Sequence, residues 1–545
     1  MNRIQRSLWM LTALATMAAG SLGCKGPPPT NPGVIAREPN RLLWGETHVH
    51  TSASEDARLL GNRSADPNTA YRWAKGLPVV EPYTQARVQL QTPLDFLVVA
   101  DHAEGLEKAA WSGTIDAAER HYAPCAFTTF IGWEWSSELG GHNLHRVVFM
   151  NEGAKHARQL IPFSALDGPR PEELWNWLEE TSSRVGTDFI AIPHNPNLSG
   201  GMMYAEVDSE GLPITSAYAQ TRMRWEPVAE VTQIKGDSET HPALSPDDEF
   251  ADFETFSRAP EQGGAEGKIS NGAYARTALL RGLGIGQSVG VNPFKFAMIG
   301  STGSDTGLAS ADEAYFWGAT PGLDSRDYSA QGLTAVWAEE NTRTSIFEAF
   351  KRKEVYATTG PRIRVRFFGG WNFGAKQARK ANMVTIGYTF GHPMGSDLAK
   401  RPEDKAPSFL MYAVKDPEGA NLDRIQLVKA WVDVEGKTHE TVYDVVWSGG
   451  RERGPDGKLP PVKNTVDLAT AKYVDVEGAP ALYGFWSDPQ FNPEQPAFYY
   501  LRVLQVPTPR HTLYDAVARG IDPNETGHPP TIQERAYTSP IWYTP

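Results

Sequence analysis

Between residues 41 and about 365 the chain alternates short, nearly continuous apolar runs with longer amphipathic stretches. The runs are 41–50, 94–100, 127–133, 145–150, 188–193, 227–234 and 294–300. Strands that are apolar throughout suit a parallel sheet covered on both faces by helices. Helical patterns lie at 170–184 and 273–283, and a further helix at 343–353 follows the last of these strands. This alternation predicts an α/β fold, either a barrel or a doubly wound sheet.

From about 366 the texture changes. Segments 425–434, 441–447 and 497–506 read as alternating or aromatic-rich strands, and long helical patterns are scarce. Residues 366–545 are therefore expected to form an antiparallel β-domain of sandwich type. Segment 236–270 is acidic and Pro-rich, and reads as a long loop or insertion over the barrel mouth. The 545 residues allow three or four domain-sized units, or fewer larger ones. Lys and Arg total 52 against 65 Asp and Glu, a net charge of −13, which argues against nucleic acid as a partner. Two cysteines exclude a disulfide framework.

The first residues are read as a targeting segment. Arg3 and Arg6 precede an apolar run from Leu8 to Ala19, too short for an ordinary spanning helix. Ser21-Leu22-Gly23-Cys24 then resembles a bacterial lipoprotein signal, with Ser where Leu is usual. That resemblance implies a signal over 1–24, a lipidated Cys24 and a flexible tether over 25–40. It places the protein outside the cytoplasm, at the outer membrane or its periplasmic face, and held to the membrane by lipid alone. A plain secretory signal cut near Gly20 is the alternative.

The histidines show where the chemistry sits. Nine of the thirteen lie between 48 and 241, mostly at the ends of the apolar runs. The first run ends in His48-Val49-His50, the second in Asp101-His102, the third at Glu134. His145 opens the fourth and His194 follows the fifth. His241 and Asp305 follow the sixth and seventh. Strand ends converge on one face of a parallel barrel. Imidazoles and carboxylates gathered there are the donor set of a hydrolytic metal site. His48 and His50, two apart on a strand, point the same way and can bind one ion.

Trp44-Gly45-Glu46-Thr47-His48-Val49-His50-Thr51, Ala100-Asp101-His102, Gly132-Trp133-Glu134 and Pro193-His194-Asn195 resemble the motifs of the PHP (polymerase and histidinol phosphatase) superfamily. Gly140–Val147, Glu230–Asp237 and Glu354–Gly360 bring the match nearest to a bacterial PHP-like family catalogued as a domain of unknown function. The resemblance runs from about 41 to the C-terminus. It implies a distorted (β/α)7 barrel over 41–365, two or three divalent metal ions, and hydrolysis, usually of phosphoesters. It matches His48 and His50 to paired ligands, Asp56 or Glu55 to a nearby acidic ligand, and His102 to the second-motif ligand. Glu134 matches the carboxylate that bridges ions, and His145 and His194 the remaining imidazoles. Asp101 either orients a ligand or binds directly, and His142 is read as a loop histidine near the site. In the superfamily the seventh strand ends in Asp-x-His, both metal ligands. Here Gly303 stands at the first place and Asp305 at the second, or, with a gap, Asp305 is the Asp and the His is lost. One ligand fewer is expected either way, with Asp305 still binding.

The expected mechanism is a water activated by ions that Glu134 bridges, with no separate nucleophile. Sequence does not choose among Zn, Mn and Fe. Lys235, near the sixth strand end, is a candidate contact for an anionic small-molecule substrate, with a salt bridge as its alternative. Arg362, Arg364 and Arg366 are expected to share one strand face. No Gly-x-Ser-x-Gly elbow and no Walker loop is present. Three functions stand open: a metal-dependent phosphoesterase, a metal hydrolase of another bond such as an amide or sulfate ester, and a scaffold lipoprotein with a degenerate metal site.

Overall fold

The computed structural model describes residues 38–256, 269–309, 312–316 and 325–545. Cys24, most of the expected tether and 257–268 of the expected insertion lie outside the described residues.

The seven apolar runs all form strands: β1 (Arg41–Glu46), β2 (Phe96–Val99), β3 (Thr128–Trp135), β4 (Arg146–Met150), β5 (Phe189–Pro193), β6 (Val228–Gln233) and β7 (Ala297–Gly300). Among the described residues, the helices of ten or more residues are α1 (Lys108–His121), α2 (Pro171–Val185), α3 (Ser216–Trp225), α4 (Ala275–Val289) and α5 (Arg343–Arg352). Local chemistry sets the bounds of α2. Pro171 opens it, where the missing N–H costs nothing, and Gly186 closes it at φ 75°.

Strand direction departs from the expected all-parallel sheet. β1, β2 and β3 run parallel, whereas β4 is antiparallel to both β3 and β5. Two further strands extend the sheet beyond β1: β8 (Leu333–Ala338) pairs antiparallel with β1, and β9 (Val355–Thr358) pairs antiparallel with β8. They lie either side of α5, where the sequence pointed only to a helix. Runs of four to six apolar residues do not distinguish a strand from a buried helix segment. β6 and β7 pair in parallel as a separate short sheet.

Alternate residues of these strands meet in one core. Leu43, Phe96, Val98, Phe130, Val147, Phe149, Ile190, Ile192, Val228, Ile299 and Val336 are buried together, with Ile346, Phe347 and Phe350 of α5 among them. The intervening residues, such as Leu97, Val99, Ile131 and Val148, face outward under α1 and α2. Gly45 is required where β1 meets β2, since a Cβ there would lie 2.4 Å from the Phe96 ring.

The C-terminal strands are β10 (Arg364–Gly370), β11 (Ser408–Val414), β12 (Leu422–Val432), β13 (Thr438–Trp447), β14 (Ala481–Ser487), β15 (Ala497–Gln505), β16 (Arg535–Thr538) and β17 (Ile541–Tyr543). The 365/366 boundary falls inside β10. β16 pairs with β9, so one mixed sheet runs from β5 through β1 and β9 to β13. A second antiparallel sheet, β10–β11–β14, packs on it through contacts such as Phe409 with Tyr499. The described part of segment 236–270 is tied to the C-terminal half by Arg502–Asp248 at 2.5 Å and Arg510–Glu254 at 2.9 Å. Among the described residues, no helix is long and apolar enough to cross a membrane.

Candidate metal centre

Reversal of β4 is what brings the histidines together. Trp135, near the end of β3, pairs with Arg146, at the start of β4, and Arg146 pairs with Pro193, at the end of β5. His145 therefore opens its strand at the same sheet edge where Glu134 and His194 close theirs. β1 stops at Glu46, short of the two histidines expected on it. Val49 nevertheless bridges to Ser304, and the His50 N–H donates to the Ser304 carbonyl at 3.0 Å. That extended backbone keeps both rings on one side, with Nε2 of His48 3.1 Å from Nε2 of His50.

Glu134 stands at the centre, 1% exposed. Its Oε2 lies 3.0 Å from His48 Nε2 and 3.3 Å from His50 Nε2. Its Oε1 lies 2.9 Å from His145 Nδ1, 3.4 Å from His194 Nε2 and 3.6 Å from His102 Nε2. Three overlapping triads result: His48–Glu134–His194, His50–His102–Glu134 and His50–Asp56–Asp305. In each, one donor atom per residue lies within 4.8 Å of the others. Asp56 is also 3.1 Å from His102 Nε2.

The donor set fits divalent cations. Nδ1 of His50 and Nε2 of His145 are buried without a hydrogen-bond partner among the described residues. Such atoms cost free energy unless something occupies them. Burial lowers the pKa of His50 to about 3 and of His194 to about 4, which keeps both rings neutral, the form that donates to a metal. Burial alone would raise Glu134, but His102 and His194 outweigh it and hold the carboxylate well below the usual range. Neutral nitrogen and carboxylate oxygen donors suit Zn, Mn and Fe alike.

Other expected residues have different surroundings. Asp101 is buried and accepts from the N–H of Thr51 at 2.6 Å and its hydroxyl at 2.9 Å, which braces the loop after His50. Burial pushes this carboxyl up to about 7. Lys235 follows β6 with its backbone pinned: its N–H donates to Gln233 at 2.9 Å and its carbonyl accepts from Asn197 at 3.1 Å. His142 packs against Gly200, where a Cβ would meet the ring at 2.5 Å. His241 packs on Tyr274 and does not join the cluster. The three arginines have different surroundings, and Arg362 lies ahead of β10. Arg362 donates to the carbonyls of Thr92 and Pro93, Arg364 is exposed, and Arg366 is buried against Trp337.

Two buried carboxylates escaped the sequence reading. Glu230, inside β6, lies 3.1 and 3.2 Å from His48 Nδ1. Burial would lower the His48 pKa, but Glu230 on Nδ1 and Glu134 on Nε2 together outweigh it and raise it to about 10, so a cation at this ring would have to displace its Nε2 proton. Glu46, at the end of β1, accepts from the Thr302 N–H at 2.7 Å and so ties β1 to the loop carrying Asp305. Glu230 stands inside its strand, where a search of strand ends passes over it, and Glu46 ends β1 ahead of the two histidines that drew the reading. The available signal was an acidic residue within an apolar run.

A buried carboxylate ringed by five imidazoles at one edge of a mixed sheet makes this an α/β protein with a donor set able to hold metal ions. A family described as "Protein of unknown function (DUF3604)" matches residues 37–109 and 104–545, and the chain belongs to that family. No curated protein matches. Among solved structures, a two-domain protein containing a predicted PHP-like metal-dependent phosphoesterase, from Bacteroides vulgatus ATCC 8482, is similar over 82% of this chain and 95% of that one. The identity is 10% and the TM-score 0.31, too low to bear on the function.

Proposed function

We propose that the protein is a metal-dependent hydrolase acting on phosphoesters. The observation that carries this reading is the placement of five imidazoles around the two oxygens of Glu134. His48, His194 and Glu134 would hold one ion, His50, His102 and Glu134 a second, and Asp56 with Asp305 would complete a third position beside His50. When bound, such ions supply an acidified water and a Lewis-acid clamp on the scissile group. The chain itself supplies the carboxylate common to two positions, the neutral rings, and the loop braces Asp101–Thr51 and Glu46–Thr302. In this reading β1–β9 close as a distorted barrel and the C-terminal sheets form a sandwich. The alternating core of the strands supports the first, and the Phe409–Tyr499 contact the second. Lys235 is assigned to an anionic substrate because it follows the strand that carries Glu230.

The test is metal content of the purified protein, followed by chromogenic phosphomonoesters, phosphodiesters, sulfate esters and amides. Phosphoester turnover abolished by chelation and restored by added Zn2+ or Mn2+ supports the reading. A metal-loaded protein that cleaves only sulfate esters or amides would replace the substrate class. A chain that binds no metal would leave a scaffold. The mature protein is also proposed to be held at a membrane by a lipid on Cys24. Unchanged membrane fractionation of Cys24→Ala would refute that anchor.

A further inference from the structure

We propose that Gln233 is a positioning residue of the metal centre, acting through Glu230 on His48, and that glycine at 303 is what admits it. The inference rests on the metal-centre reading above.

Three buried side chains form one relay. The Lys235 N–H donates to Gln233 Oε1 at 2.9 Å. An oxygen that accepts from a backbone N–H is the carbonyl end of the amide, so the other end must be the NH2 group. That NH2 donates to Glu230 Oε1 at 3.1 Å. Glu230, so anchored, meets His48 Nδ1 with both oxygens, at 3.1 and 3.2 Å. A ring whose Nδ1–H is held by a carboxylate has only Nε2 to offer an ion. Nε2 is the atom that faces Glu134. Gln233 thus fixes the tautomer and tilt of a ligand it does not touch.

Gly303 makes room for the relay. Its φ is +67°, and a Cβ there would lie 2.9 Å from Gln233 Nε2, 3.0 Å from Oε1 and 3.1 Å from Cδ. An amide at the end of a loose side chain could give way. This one is pinned at both ends, so any shift breaks the bond to Lys235 or the bond to Glu230. The Gly303 N–H also donates to the His48 carbonyl at 2.8 Å. One loop therefore steadies the His48 backbone while leaving space for the residue that steadies its ring.

The experiment uses the full chain and Gln233→Met, which keeps side-chain length and removes the amide. Zn2+ affinity is measured by chelator competition, and the Co2+-substituted protein is examined by absorption spectroscopy. One ion is expected to bind about 10–100-fold more weakly, the scale for loss of a partner behind a ligand, with the others unchanged and the Co2+ spectrum altered. A merely structural role would leave that spectrum alone. Wild-type affinity and spectrum in Gln233→Met would overturn this inference while the metal-centre reading stands. A wild-type chain without metal would overturn both. If Gln233→Met does not fold, Gly303→Ala decides: selective weakening of one ion supports the relay, and unchanged affinity refutes it.

Discussion

Glu134 belongs to two of the three groups that could hold an ion, and His48 to one. Glu134→Ala should therefore strip at least two ions, and His48→Ala one, each with loss of activity. Elemental analysis checks both, and full metal content in either variant would show the ligand assignment to be wrong. Asp305 completes only the position shared by His50 and Asp56. Asp305→Ala should lose that ion alone, so metal titration should show one fewer ion than in the wild type. Most of this cluster was legible as residues. His48, His50, His102, Glu134, His145, His194 and Asp305 all stand beside apolar runs, a pattern that spacing alone exposes. Glu230 stood in a motif but was given no role, and the link of Gln233 to it was not legible, for a geometric reason. Strict alternation along β6 would send residues 230 and 233 to opposite faces. The pairing of β6 with β7 shifts register between Ile299 and Gly300, and Gln233 ends on the side of Glu230. A sequence pattern does not announce a bulge.

At the scale of elements, the runs gave strand positions to within a few residues, but not strand direction. Apolar runs look alike whichever way the strand runs, and β4 shows the consequence. A parallel β4 would carry His145 to the far edge of the sheet, whereas the antiparallel strand brings it within 2.9 Å of Glu134. The strand core beneath the site should be intolerant of shortening. Phe130 is fully buried between Phe149 and the neighbouring strands, 5.0 Å from the Phe149 ring centroid. Phe130→Ala should cost about 3–5 kcal/mol through lost burial and the cavity left behind. Urea denaturation of the metal-free protein measures this, and a loss below about 1 kcal/mol would mean that the core collapses around the gap. β8 and β9 carry the other lesson of this scale. Their short runs flank a clear helix, and only the pairing of β8 with β1 and of β9 with β8 shows them to be strands.

At the scale of the whole molecule, the two halves are joined by more than the shared sheet. Arg276 of α4 bonds Glu239 at 2.6 Å and Asp248 at 2.8 Å, and Arg502 of β15 bonds Asp248 from the other side. All four side chains are at most 2% exposed. Segment 236–256 is thereby pinned between the site-bearing half and the C-terminal strands. Burial alone would raise the Asp248 carboxyl, but Arg502 and Arg276 outweigh it and hold its pKa far below the usual range. A depressed folded pKa contributes stability that is present above the unfolded value, about 3.9, and is lost as pH falls toward the folded value. Asp248→Asn removes the charge and leaves both guanidinium groups with one carboxylate fewer. Breaking a buried ion pair costs about 3–5 kcal/mol, so the variant should be less stable than wild type by that amount at pH 7. Below about pH 3.9 the gap should narrow by about 1.4 kcal/mol per unit, because wild type alone must then protonate Asp248 to unfold. Denaturant unfolding at pH 7, 4 and 2.5 measures it. A gap that stays constant across the three would show that Asp248 stabilises the molecule through packing and not through its charge.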